Sequence, residues 1–75
     1  MDIEDLLDYA QNDCIFDIYD IDSETTINEG LSREELQEWH ENYDYELCSF
    51  EPIQRKEDNE VVFGIVINLT NIEER

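Results

Sequence analysis

Apolar side chains recur at Ile3, Leu6, Leu7 and Ala10, the i, i+3, i+4, i+7 spacing that gathers one stripe on a helix. Glu4, Asp5 and Asp8 fall on the other side, and Asp2, Glu4 and Asp5 suit the positive end of a helix dipole, so the pattern predicts a helix over residues 2–11. The period then changes. Residues 14–21 are β-branched and aromatic, and as a strand they place Cys14, Phe16 and Ile18 on one face with Ile15, Asp17, Tyr19 and Ile21 on the other. The polar stretch 22–30 reads as a loop, with Ile27 at most a brief extended piece. Ser32 and Glu35 have the S-x-x-E spacing of a capping box, in which each side chain satisfies a backbone donor that the start of a helix leaves orphaned. A helix over 33–43 follows, with Leu36, Trp39 and Tyr43 in one narrow arc, His40 at its edge, and Glu34, Glu38 and Glu41 on the opposite arc.

Residues 45–54 and 60–69 form two strands of a hairpin turning at Lys56 to Asn59. Pro52 has no N–H to donate to a ladder, which fits an edge strand or a bulge. Residues 61–67 are apolar on both faces, which fits a central strand. The expected fold is therefore α+β, a single small domain over residues 1–75 in the order α-β-α-β-β, with helices on one face of a three-stranded, mostly antiparallel sheet. Val62, Val66 and Tyr19 on the second face leave room for a homodimer.

Charge changes the picture most. The 75 residues carry 22 Asp and Glu against 4 Lys and Arg, a formal net charge of −18. Such a surface cannot track a phosphate backbone or an anionic bilayer, so direct binding to nucleic acid or membrane is excluded and any partner sensitive to the charge is basic. High charge alone would point to disorder, but 40% of the residues are hydrophobic and they are periodic, so the chain is expected to fold, with the small margin of a short domain. Residues 1–7 lack the basic-then-apolar pattern of a signal peptide, and the uncharged run 61–72 is too short and polar to span a bilayer; a cytoplasmic location is expected. Cys14 and Cys48 then read as small buried hydrophobes in a reducing compartment.

Candidate chemistry is sparse. From Asp20, the oxygens of Asp22, Glu24, Thr26 and Asn28 match the ligand spacing of a calcium loop, but Thr25 stands where glycine is needed and Leu31 where the bidentate glutamate belongs. Asp22-Ser23 is similar to the phosphopantetheine site of acyl carriers, but Glu24 replaces the leucine and strands flank the segment in place of helices. His40 is the sole histidine, placed to border the packed face of its helix or to cap its negative end. No enzyme activity, cofactor or metal is expected.

The acids are not dispersed. Before Pro52 stand 17 acids against Arg33, and after it 5 against Arg55, Lys56 and Arg75, so −16 of the −18 lies in the first two-thirds. Glu34 and Glu38 would be about 6 Å apart along a helix axis, and Asp20 and Asp22 about 6–7 Å apart along a strand, against one phosphate per ~3.4 Å of each strand of B-DNA. Two rows are expected at a partner interface: Glu34, Glu35, Glu38 and Glu41 on the helix, and Asp17, Asp20, Asp22 and Glu24 on the strand and its loop. Asp44 and Glu46 would link them, with Tyr19 as an aromatic anchor. In size, charge and α+β pattern the whole chain resembles the small acidic DNA-mimic inhibitors of phages and mobile elements, among them acidic anti-CRISPR proteins, uracil-DNA glycosylase inhibitors and anti-restriction proteins. The resemblance involves no motif, so no residue is carried over by position. It implies a stoichiometric inhibitor, most narrowly an anti-CRISPR or other anti-defence protein acting in the host cytoplasm. Its target would be a basic nucleic-acid-binding protein, a CRISPR effector or another defence or repair nuclease or glycosylase. The alternative is an acidic interaction module or regulatory subunit docking a basic protein outside any nucleic-acid cleft.

Overall fold

The computed structural model describes residues 3–9 and 14–75. Their elements are α1 (Ile3–Tyr9), β1 (Ile15–Asp20), β2 (Thr25–Leu31), α2 (Arg33–Asn42), β3 (Tyr43–Glu57) and β4 (Glu60–Glu74). Asp2, Ala10 and Gln11, expected in the first helix, lie outside the described residues. The fold is α+β with both helices in one core, but the order is α-β-β-α-β-β and the mixed sheet has four strands, β2-β1-β4-β3, in place of the expected three.

The extra strand is β2, from the stretch expected to be a loop. It runs antiparallel to β1 at the sheet edge, where a strand needs no alternating apolar face, and two register shifts interrupt the pairing. Gly30 takes a left-handed backbone (φ 66°) beside one of them, a conformation glycine adopts without a Cβ penalty. β1 pairs parallel with residues 64–69 of β4, so β4 is central as its apolar run implies. β3 and β4 make a long antiparallel hairpin that turns at Asp58 and Asn59, both at positive φ (47° and 68°) as a tight two-residue turn requires. Pro52 lies on edge strand β3.

One cluster holds the core: Ile3, Leu6 and Leu7 of α1, Phe16 and Ile18 of β1, Leu36 and Trp39 of α2, and Ile67 and Leu69 of β4. Both helices therefore cover the same sheet face. The capping box of α2 is complete, with Glu35 N–H donating to Ser32 Oγ (3.1 Å) and Ser32 N–H donating to Glu35 Oε1 (3.1 Å). At the other end Arg75 donates its backbone N–H to the carbonyl of Asn42 (2.9 Å) and its Nη1 to that of Glu41 (3.3 Å), so a cation occupies the negative end of the dipole. His40 borders the packed face, as expected, with Nδ1 hydrogen-bonded to the Tyr45 hydroxyl and Nε2 3.4 Å from Glu4 Oε1. The expectation of two buried cysteines fails at Cys48, which is exposed near a register shift of edge strand β3; Cys14 is half-buried, and neither forms a disulfide.

Candidate acidic interface

On α2, burial follows the helical period. Leu36 and Trp39 are buried, while Glu34, Glu35, Glu38 and Glu41 are exposed. Gln37 reaches Glu41 Oε1 (3.5 Å), and Glu35 holds the cap, so two of the four also serve the helix itself.

The β1–β2 turn supplies the second row. Asp20 accepts the Asp22 N–H (3.1 Å) and the Ser23 hydroxyl (2.8 Å), which folds the turn around its own carboxylate. Glu24 is exposed at φ 55°. Asp22 faces β4, where it accepts the Asn71 N–H (2.8 Å) and the Thr70 hydroxyl (2.7 Å). The Asn71 N–H and then the Thr70 hydroxyl hold the Asp22 carboxyl below its ordinary value of 3.8, against a slight opposing effect of burial. A folded-state value below the unfolded one means that this contact adds stability above about pH 4 and loses it as pH falls through the lowered value.

Asn71 joins the rows. Its backbone is left-handed (φ 53°), and while its N–H binds Asp22 its side-chain amide donates to Glu46 Oε2 (3.1 Å). Asp44 lies two residues before Glu46, about 6–7 Å along β3. Asp44 Oδ1 accepts Arg75 Nε (2.8 Å), and the same arginine holds the end of α2. Exposed carboxylates thus form a band from the turn at Asp22 and Glu24, where half-buried Asp20 is taken up by the turn itself, across the end of the sheet at Glu46 and Asp44, to Glu41, Glu38 and Glu34. Arg75 lies within it and partly neutralises Asp44.

Two expected members are placed elsewhere. Asp17 is buried, with 4% of its surface exposed; it forms an ion pair with Arg55 and accepts the Gly30 N–H (2.9 Å), so it cannot meet a partner. Alternation along β1 turns it to the sheet face opposite Phe16 and Ile18, and there the Arg55 guanidinium and the Gly30 N–H meet its two oxygens. Tyr19 shares that second face and is half-buried, so it does not stand with the α2 stripe. Glu73 was missed by sequence reasoning: it is exposed and paired in register with Asp44, adding a carboxylate to the band from the end of β4. The charge pattern does not announce the join; its one trace in the sequence is Asn71, a residue type that tolerates a left-handed backbone, inside an otherwise extended run.

Among the described residues no group of three His, Cys, Asp or Glu is arranged to hold a metal ion, and no helix is long and apolar enough to cross a membrane. No family model, curated protein or solved structure matches the chain. The surface is therefore read from its own chemistry. Its like charges repel, and salt screens exposed charges within a distance of about 10 Å at 0.1 M. The melting temperature should accordingly rise by several degrees between about 0.05 and 0.5 M NaCl; a flat or falling curve would show that the band is too dilute to matter.

Proposed function

We propose that the protein is a stoichiometric inhibitor that mimics the charge of a nucleic acid and occupies the binding cleft of a basic nucleic-acid-processing protein. The narrow form is an anti-defence protein of the anti-CRISPR kind, acting in the cytoplasm. One observation carries the reading: Asn71 ties Asp22 to Glu46, and Arg75 ties Asp44 to the C-terminal end of α2, so that exposed acids of the β1–β2 turn, β3 and α2 are joined by hydrogen bonds. An averaged solubilising surface needs no such order, since mixed signs serve it better. Competition is the whole mechanism. The band is steered to the cationic cleft, displaces the phosphate track, and loses affinity steeply as salt rises.

The test is competition with DNA. A partner captured by the whole chain should be released by excess oligonucleotide, and Glu38→Lys with Glu41→Lys should weaken capture at least about tenfold, because like charges facing across an interface cost on the order of a kcal/mol or more each. Helix content should be unchanged. Undiminished binding by the double variant removes α2 from the interface. A partner that oligonucleotide fails to displace points to the other reading, an acidic module docking a basic protein outside its cleft.

A further inference from the structure

β1 runs beside residues 64–69 of β4 only, whereas β3 pairs with β4 as far as Glu57 and Glu60. Residues 54–63 therefore project past the four-stranded sheet as a two-stranded ribbon, an element too thin to bury a face of its own. Register puts Val61, Phe63 and Ile65 on the side that bears the core, opposite Lys56, Gln54 and Pro52. Farther along the same row Ile67 and Leu69 are fully buried, while Phe63 is 60% and Val61 56% exposed, so the covered face ends before the ribbon does. Among the described residues no other large apolar side chain is as exposed as these two. A groove of about 510 Å³ opens beside them, lined by Phe63, Ile65, Pro52, Gln54 and Cys14. The opposite sheet face, where a homodimer had room, is filled by the chain itself. The Asp17–Arg55 pair lies across it, and Ile15 and Ile53 close over Gly64, where an added Cβ would meet their Cγ1 atoms at 3.0 and 3.1 Å.

We infer that this ribbon is a self-association arm: two copies of the chain pack about a two-fold axis, each setting Phe63 into the groove of the other. Such a contact uses one patch twice, so knob and hole must lie on the same surface, as Phe63 and its groove do. Size agrees, since at roughly 30 Å³ per water-sized group a phenylalanine side chain takes about 200 Å³ of the groove. Charge selects the occupant. Residues 52–66 hold Arg55 and Lys56 against Glu57, Asp58 and Glu60, so only −1 of the −18 lies here. Arg55 is engaged by Asp17, and among the described residues no carboxylate pairs with Lys56, which stands directly beside Val61. An apolar patch with a free cation fits an acidic surface that carries apolar groups, which a second copy is and the basic partner of the band is not. Distance removes the obstacle to pairing chains of such charge. Phe63 and Asn71 are ~26 Å apart along β4, so the bands on either side of the axis lie about 50 Å apart, several screening lengths at 0.1 M salt. The ribbon face is small beside the ~800 Å² per partner of a standard interface, which makes the dimer transient, with a Kd on the order of 10–100 µM. The inference does not depend on the proposed function; it adds that two bands face outward from one dimer.

Sedimentation equilibrium of the whole chain reads the association, in about 0.3 M NaCl to screen the charge and with a thiol reductant so that the exposed Cys48 cannot link copies. The average mass should rise from the 9.0 kDa of one chain at about 5 µM to at least about one and a half times that at about 0.5 mM. Phe63→Asp brings a carboxylate into the contact and should raise the Kd at least about tenfold. Ile27→Asp makes the same charge change at another exposed apolar residue, on edge strand β2, and should alter it less than about twofold. Lys56→Glu removes no core contact and should raise the Kd about threefold. Phe63 lies outside the core cluster, so Phe63→Asp should keep the far-UV circular dichroism of the unsubstituted chain. If it does not, Lys56→Glu decides, and an unchanged Kd there overturns the inference. A chain that stays monomeric at 0.5 mM, dimers that persist in Phe63→Asp, or equal losses in Phe63→Asp and Ile27→Asp would also overturn it. If the chain is monomeric while Phe63→Asp weakens capture of the basic partner, the arm belongs to that partner and the second copy is ruled out.

Discussion

Replacing Arg55 with methionine should destabilise the fold by about 3 kcal/mol, the lower end of the cost of leaving a buried charge without its partner. Asp17 has 4% of its surface exposed and two partners, the Arg55 guanidinium and the Gly30 N–H. Methionine keeps much of the length and apolar bulk of the arginine stem but removes the cation, so the carboxylate is left with one donor in a poorly hydrated place. The loss stays at the lower end because 29% of the Arg55 side chain is exposed and water reaches one side of the pair. A chain of this length has on the order of 4–11 kcal/mol of stability in all, so the variant would lose a large part of it. Denaturant unfolding followed by far-UV circular dichroism measures the loss. Adding Asp17→Asn should recover at least half, because a neutral amide still accepts the Gly30 N–H and carries no charge to strand. A loss below about 1 kcal/mol in the single variant would put the pair with ordinary surface ion pairs.

That pair also shows where sequence reasoning stops. Asp17 and Arg55 are 38 residues apart and lie on strands separated by β4, so their meeting depends on a parallel β1–β4 pairing that no local pattern announces. Read along β1 alone, Asp17 is a single acid on a face with Ile15, Tyr19 and Ile21, and nothing local names its partner. The local features were legible for the converse reason. A capping box spans four residues, a helical stripe repeats every turn, and a tight hairpin is written in its own turn residues, so Ser32, the exposed Glu34, Glu38 and Glu41, and the β3–β4 turn follow from neighbours in sequence. β2 was hidden because Thr25–Leu31 carries few apolar residues and is held by edge hydrogen bonds and the Gly30–Asp17 contact, not by a buried face. At the interface the rows themselves were legible. Their join through Asn71 and Arg75 was not, since both residues come from the far end of the chain and contribute hydrogen-bond geometry instead of charge pattern.

Leu36→Ala should cost about 2–5 kcal/mol, and its value lies in the contrast with the charge reversals on the same helix. Leu36 is fully buried, and with Trp39 it is one of the two buried residues of α2. Removing its isobutyl group leaves a cavity bounded by a sheet that cannot collapse onto it, and α2 loses half of its buried anchorage. The acidic stripe is untouched chemically, yet partner binding should fall with temperature as α2 loosens and should return on cooling to where the variant is folded. Glu38→Lys with Glu41→Lys should behave in the opposite way. Binding is lost at every temperature, while the melting temperature holds or rises because repulsion within the band is relieved. Two faces of one helix would then carry two separable quantities, stability on the Leu36 side and recognition on the Glu38 side. A melting temperature that falls by more than a few degrees on charge reversal would mean that those glutamates support the fold, and the order of the band would need a structural explanation in place of a functional one.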